Sequence, residues 1–191
     1  MRKLVVSEFV SLDGVMEDPG GAEKFERGGW TMQYWNEEIG KFKLDELFAS
    51  DALLLGRVTY QGFAAAWPSR TDPQGFAERM NNLPKYVVST TLKKVEWNNS
   101  RLIKGSVVEE VSKLKRQPGQ NILVAGSAQL VHTLMEHDLI DEYRLLVYPV
   151  FLGSGKRLFR DGTNTALKLV TTKAFGSGVV GLVYQPSKGN L

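Results

Sequence analysis

"ALLLGRVTYQGF", Ala52–Phe63, is the stretch from which the fold can be read. Four apolar residues, Ala52 to Leu55, run straight into Gly56 and Arg57, and Thr59 follows two positions later. A short apolar run that ends at a turn signal reads as a strand buried on both faces. A plain strand exit onto the surface accounts for the glycine and the cation. An anion seated where the strand stops accounts for them too. Glycine lets a ligand approach the backbone, and the free amides of a following helix bind negative charge.

Two other strands end in a similar way. "KYVVSTTL" passes into Ser89 and Thr90, and "ILVAGSAQL" passes into Gly126 and Ser127. In open α/β sheets, ligands lie beyond the carboxyl ends of the strands. One such turn alone is an ordinary connection. Three together, with an arginine on one and hydroxyls on the others, point to a phosphate-rich ligand.

The flanking segments set the class. Leu4 to Val10 reads as a first strand, followed by "SLDGVMEDPGGAEKFERGGW", a long loop of the kind that often carries function. "YWNEEIGKFKLDELFAS" has the apolar spacing of an amphipathic helix, and "RVTYQGFAAAW" begins a short helix stopped by Pro68. "DPQGFAERMNN" predicts a small helix with Asp72 as N-cap and Pro73 at its first position. "SRLIKG" is a short strand. "SVVEEVSKLKRQ" is a helix with Ser106 and Glu109 at capping-box spacing. "NILVAG" is a strand, "SAQLVHTLMEHDLI" a helix and "DEYRLLVYPVFLG" one long strand. "LKLVTTKAF" and "VVGLVYQP" close as a hairpin around "GSG". The alternation predicts an α/β protein with a mostly parallel sheet and an antiparallel edge, in a single domain over residues 1–191.

Composition narrows the function classes. There is no cysteine among the 191 residues, which excludes disulfides, thiolate metal sites and a cysteine nucleophile. Lys and Arg number 24 against 21 Asp and Glu, a net charge of +3. The cations are scattered, so no nucleic-acid surface is expected. No run approaches the roughly 18 apolar residues of a membrane span. The start, "MRKLVVSEFV", is broken too early by Ser7 and Glu8 for a signal peptide. A cytoplasmic protein is the expectation.

With these motifs in hand, the chain resembles the dihydrofolate reductase superfamily. Within it, "SLDG" at Ser11–Gly14 brings it nearest the reductase domain of the bacterial bifunctional riboflavin-pathway deaminase-reductase and its stand-alone relatives. The resemblance runs over nearly the whole chain. It implies a central mixed, mostly parallel sheet flanked by helices with a C-terminal hairpin, and a hydride donor, NADPH. Gly56, Arg57 and Thr59 resemble the family's Gly-Arg-x-Thr element, whose arginine faces the adenosine 2′-phosphate; Lys85 or Lys93 would serve if Arg57 does not. Ser89 and Thr90 match a turn at the same end of the cofactor. Gly126, Ser127, Ala128 and Gln129 match the turn that cradles the pyrophosphate, with Ser127 where many members have a second glycine. The acid expected to meet the substrate is Asp13 or, on the first helix, Glu37 or Glu38. Ser11 and Trp30, with Trp35, are expected beside a flat ring. The implied substrate is a small heterocycle, most like the ribosylaminopyrimidinedione phosphate of riboflavin synthesis. A pterin reductase and a non-catalytic nucleotide-binding protein are the alternatives. The late β segments predict a homodimer.

Several patterns are set aside. "GSGVVG", Gly176–Gly181, satisfies G-x-G-x-x-G but precedes a strand and reads as a hairpin turn. "GSGKR", Gly153–Arg157, lacks the rest of a phosphate-binding loop. His132 and His137 are five apart on one helix and do not share a face, so no metal site is expected.

Overall fold

The computed structural model describes residues 1–187. Five parallel strands make the core of one eight-stranded sheet: β1 (Leu4–Ser11), β2 (Ser50–Gly56), β3 (Lys85–Val88), β4 (Ser100–Ile103) and β5 (Asn121–Ala125). They are joined by β6 (Glu142–Tyr148), parallel to β1, and by the antiparallel pair β7 (Leu167–Ala174) and β8 (Val180–Pro186). The order across the sheet is β4-β3-β2-β5-β1-β6-β8-β7. The mixed, mostly parallel sheet and the closing hairpin about Gly176–Gly178 agree with the sequence reading.

The apolar runs divide by alternation. Leu4, Val6, Ala52, Leu54, Ile122 and Val124 face one core with α4 (Val107–Arg116) and α5 (Ala128–Glu136). Val5, Leu53, Leu55 and Leu123 face the other, with α1 (Glu37–Phe48), α2 (Arg57–Ala66) and α3 (Phe76–Asn82). Because both faces are covered, these strands read as continuous apolar runs. A third cluster, with Ile39, Tyr148 and Phe175, seats α1 against the long loop and the hairpin.

Several boundaries differ from the sequence reading; the helix read through Ile140, for one, ends at Glu136. Gly75, not Asp72, is the N-cap of α3; Asp72, three residues before it, still accepts from the Phe76 and Ala77 amides at 2.9 and 2.6 Å. The helix itself begins only at Phe76, because Gly75 takes the left-handed φ of +80° and holds Pro73 outside it. The strand predicted over Asp141–Gly153 stops at Tyr148. Pro149 has no N–H for the ladder, and the chain leaves the sheet there.

Candidate active site

The carboxyl ends of β3, β2 and β5 lie side by side in the sheet, so the three turns singled out in the sequence meet. Gly56, Arg57, Thr59, Ser89, Thr90, Gly126, Ser127, Ala128 and Gln129 all line one cleft of about 1710 Å³. Single-ligand pockets are usually about 300–1,000 Å³. The cleft is larger than a single-ligand pocket usually is.

Ser127 locks two of the turns together. Its hydroxyl accepts from the Gly56 amide at 3.0 Å and shares a hydrogen bond with the Thr59 hydroxyl at 2.9 Å. The fit leaves no room for side chains at the glycines. A Cβ on Gly56 would stand 2.3 Å from the Ser127 oxygen, and one on Gly126 would stand 2.5 Å from the Thr59 oxygen.

The helix starts at this cradle are bare. Asn36 caps α1 by accepting from the Ile39 amide, Ser106 caps α4 by accepting from the Glu109 amide, and the first amides of α3 donate to Asp72 from outside the helix. The N-caps of α2 and α5, Gly56 and Ser127, make no side-chain cap bond. Among the described residues no side-chain cap covers their first amides, which point out at the positive ends of two helices, an arrangement that suits pyrophosphate. Arg57, the first residue of α2, is exposed and meets only the Gln61 side-chain oxygen at 3.3 Å. It has no carboxylate partner among the described residues. Ser89 is occupied: its hydroxyl accepts from the amides of Thr91 and Leu92 at 3.2 and 3.0 Å and shapes the turn, while Thr90 is exposed.

Most of the other expected residues lie elsewhere. Asp13 does not line the cleft. Its carboxylate accepts from the Ser11 hydroxyl at 2.6 Å and from the amides of Leu152 and Gly153 at 3.1 and 2.7 Å. Burial works to raise its pKa, but the Ser11 hydroxyl and those amides outweigh it and hold the group at about 2. Asp13 is thus an ionised clasp between the long loop and the segment after β6. Ser11 belongs to that clasp, its hydroxyl also accepting from the Val15 amide at 2.9 Å. Trp30 is buried, donates to the Glu17 carbonyl at 2.9 Å and packs edge-on to Tyr148. Its neighbour Trp35 faces the cleft instead. Glu38 turns to the hairpin, 3.3 Å from the Gly176 amide and 3.7 Å from the Lys173 ammonium, whereas the exposed Glu37 lines the cleft. Lys85 is unfit as a phosphate ligand. Its ammonium is buried, donates to the carbonyls of Asn81, Leu83 and Asn98, and lies 4.2 Å from the centre of the Trp97 ring. Burial lowers its pKa to about 8.

Sequence reasoning passed over the acids on the cleft floor. Glu8, on β1, lines the cleft, is buried, and one of its carboxyl oxygens has no partner among the described residues. Burial pushes its pKa up to about 8; the Gly126 amide and Lys43 oppose the rise, and Glu46 adds to it. Glu46, on α1, accepts from the Ser7 hydroxyl at 2.7 Å and pairs with Lys43. The signal was present in "VVSEFV", where an acid interrupts an apolar run that the fold buries.

The profile of the RibD C-terminal domain matches residues 2–181. The chain belongs to the RibD C-terminal domain family. That family is reductase-like, and its members share the dihydrofolate-reductase-type sheet seen here. Two Bacillus subtilis proteins are similar over nearly their whole length. YyaP is 34% identical over 187 residues, covering 96% of this chain and 94% of YyaP. YwjB is 31% identical over 179 residues, covering 93% and 95%. Among solved structures, a putative riboflavin biosynthesis protein from Shewanella sp. PV-4 superposes with a TM-score of 0.74 at 22% identity, covering 97% of this chain and 99% of that one. A pyrimidine reductase-like protein from Corynebacterium diphtheriae has a TM-score of 0.64 at 10% identity, covering 98% and 93%. At those identities the two structures bear on the fold alone. No helix among the described residues is long and apolar enough to cross a membrane, and no group of three metal-ligating side chains is found among them.

Proposed function

We propose that the protein is a cytoplasmic, NADPH-dependent reductase of a small heterocyclic compound. The observation that carries this is the pair of uncapped helix starts, Gly56–Arg57 and Ser127–Ala128, held side by side by one serine hydroxyl. Uncapped amides and a free guanidinium fit a phosphate-bearing dinucleotide, and the size of the cleft allows a second molecule beside it. NADPH, when bound, supplies the hydride. The chain's own residues bind and orient. The α2 and α5 amides hold the pyrophosphate, Arg57 and Thr90 the 2′-phosphate side, and Trp35 with Phe9 lines the ring end of the cleft.

The substrate is a ribosylaminopyrimidinedione or a related heterocycle; a pterin, and nucleotide binding without turnover, are the competing readings. Titration with NADPH, followed by tryptophan fluorescence, tests the cofactor. Loss of NADPH absorbance with a ribosylaminopyrimidinedione phosphate and with 7,8-dihydrofolate separates the substrates. Absence of any NADPH binding would refute the reductase reading.

The working form is a homodimer. Strand β7 stands at the sheet edge with almost every residue exposed, Leu169 and Val170 among them. A long bare edge carrying apolar side chains calls for a partner.

A further inference from the structure

We infer that Glu8 is the acid of this site, giving a proton to the substrate atom that gains an electron pair as the substrate's C=N or C=C bond is reduced. The inference rests on the reductase reading above.

The placement is specific. On β1, alternation puts Glu8 in the row of Val6 and Val10, both packed in the core with Val124 and Leu130. An apolar residue would fill that row without difficulty. An acid with an unpartnered oxygen is a liability for folding alone, since burying a lone carboxylate without full hydrogen bonding is strongly unfavourable. The position nevertheless opens on the cleft, beside the Gly126 turn of the cradle.

The surroundings keep the carboxyl protonated. From α1, Lys43 is bound to Glu46 and to the Ser7 hydroxyl, so the nearest cation is neutralised by another acid. From the loops, Lys156 and Glu23 line the cleft, and Lys156 is paired with Glu17 at 2.6 Å. Arg144, on the neighbouring β6, is paired with Glu142. The β5–α5 turn contributes only the Gly126 amide. Burial thus prevails, and the carboxyl titrates at about 8. A proton donor poised near the working pH is what acid catalysis requires.

The step balances. A reduced nicotinamide dinucleotide, when bound, would supply the hydride for a new C–H bond on the substrate. The π pair of the substrate's C=N or C=C bond takes the proton of Glu8 as a new N–H or C–H bond. Glu8 is left as carboxylate and recovers its proton from solvent through the cleft.

The test uses the full-length protein, wild type, Glu8→Gln and Glu8→Asp. Infrared difference spectra of the ligand-free proteins read the carboxyl directly. The expected result is a protonated carboxyl band that disappears with a midpoint near pH 8, is absent in Glu8→Gln and shifts on adding NADP+. An ionised Glu8 at neutral pH would overturn the inference. Both variants are expected to bind NADPH within about twofold of wild type, whereas kcat with the pyrimidinedione or dihydrofolate probe falls about 10²–10⁴-fold in Glu8→Gln and less in Glu8→Asp. Wild-type kcat declines above about pH 8, and the residual rate of Glu8→Gln shows no such limb. Glu8→Gln turning over at the wild-type rate would also overturn it. Failure of the wild type to bind NADPH is a different result and strikes the reductase reading instead.

Discussion

The Gly56 amide donates to the Ser127 hydroxyl at 3.0 Å, although 71 positions separate the two residues in the chain. This bond ties the end of β2 to the end of β5, and it makes the glycine and the serine interdependent. Gly56→Ala is expected to lower stability and to weaken dinucleotide binding, because its Cβ would lie 2.3 Å from the Ser127 oxygen and 2.7 Å from its Cβ. Adding Ser127→Gly removes both obstacles. The double variant should therefore be more stable than the sum of the single changes by about 0.5–3 kcal/mol, the usual range for residues in contact. A urea-unfolding cycle measures this, and strict additivity would contradict the interlock.

Arg57→Ala should weaken NADPH about ten- to a hundredfold and NADH little. Only NADPH carries the 2′-phosphate, and a charge-assisted hydrogen bond to it is worth about 1.5–3 kcal/mol. The difference should shrink as salt is added, since the guanidinium is exposed. Titrations of both cofactors decide the matter. Equal losses would assign Arg57 to scaffolding, and Lys93 would then be the remaining candidate, Lys85 being bound to three carbonyls.

Glu8 should imprint a pH dependence on folding. Its pKa is about 8 in the folded protein against an ordinary 4.5, so between those values the folded chain holds a proton that the unfolded chain has lost. Its contribution to stability is therefore greatest at and below pH 4.5, falls as pH rises, and levels off above about 8. The slope is at most about 1.4 kcal/mol per pH unit. Glu8→Gln should lack it. Tm measured across this range for both proteins should converge at low pH and separate in favour of the variant at high pH; parallel curves would contradict a buried, protonated Glu8.

Asp13→Asn should loosen the protein without emptying the cleft. The wild-type carboxylate has a pKa of about 2 against 3.8, so its contribution is present above 3.8 and is lost as pH falls towards 2. Asparagine keeps one acceptor for the three donors that Asp13 serves, and the expected loss is about 1–3 kcal/mol. The urea midpoint should drop while NADPH affinity stays within about threefold. An intact midpoint together with abolished turnover would restore Asp13 as a candidate acid.

Light scattering at micromolar concentration should give twice the chain mass, and Leu169→Lys with Val170→Lys should halve it by charging the β7 edge. A monomeric wild type would end the dimer reading.

Much of the cleft lining was legible because its signals are local. Gly56, Ser89 and Gly126 each follow an apolar run, and the rule that ligands gather at strand carboxyl ends brings such turns together once the strands are parallel neighbours. Asp13 and Trp30 fall outside the cleft lining, because "SLDG" and an aromatic beside a glycine-rich loop look alike in sequence whether they face a ligand or clasp two loops. What separates the two cases is the pair of amides at Leu152 and Gly153, which lie far along the chain.

The sequence by itself determined the α/β class, the hairpin edge and the three small-residue turns at strand ends, since strand burial, turn chemistry and alternation act over a few residues. Tertiary structure decided which groups are free to react. Arg57 and Lys85 are both cations next to an apolar run, yet one stands bare at a helix start and the other is buried against three carbonyls and the Trp97 ring. Glu8, Asp13 and Glu38 are all carboxyls whose neighbours in the chain do not reveal their protonation. Burial with an unpartnered oxygen raises the pKa of the first, a ring of donors lowers that of the second, and the third faces the hairpin. Protonation, access and partnership depend on solvent exclusion and on contacts between distant segments, and those exist only after the sheet has closed.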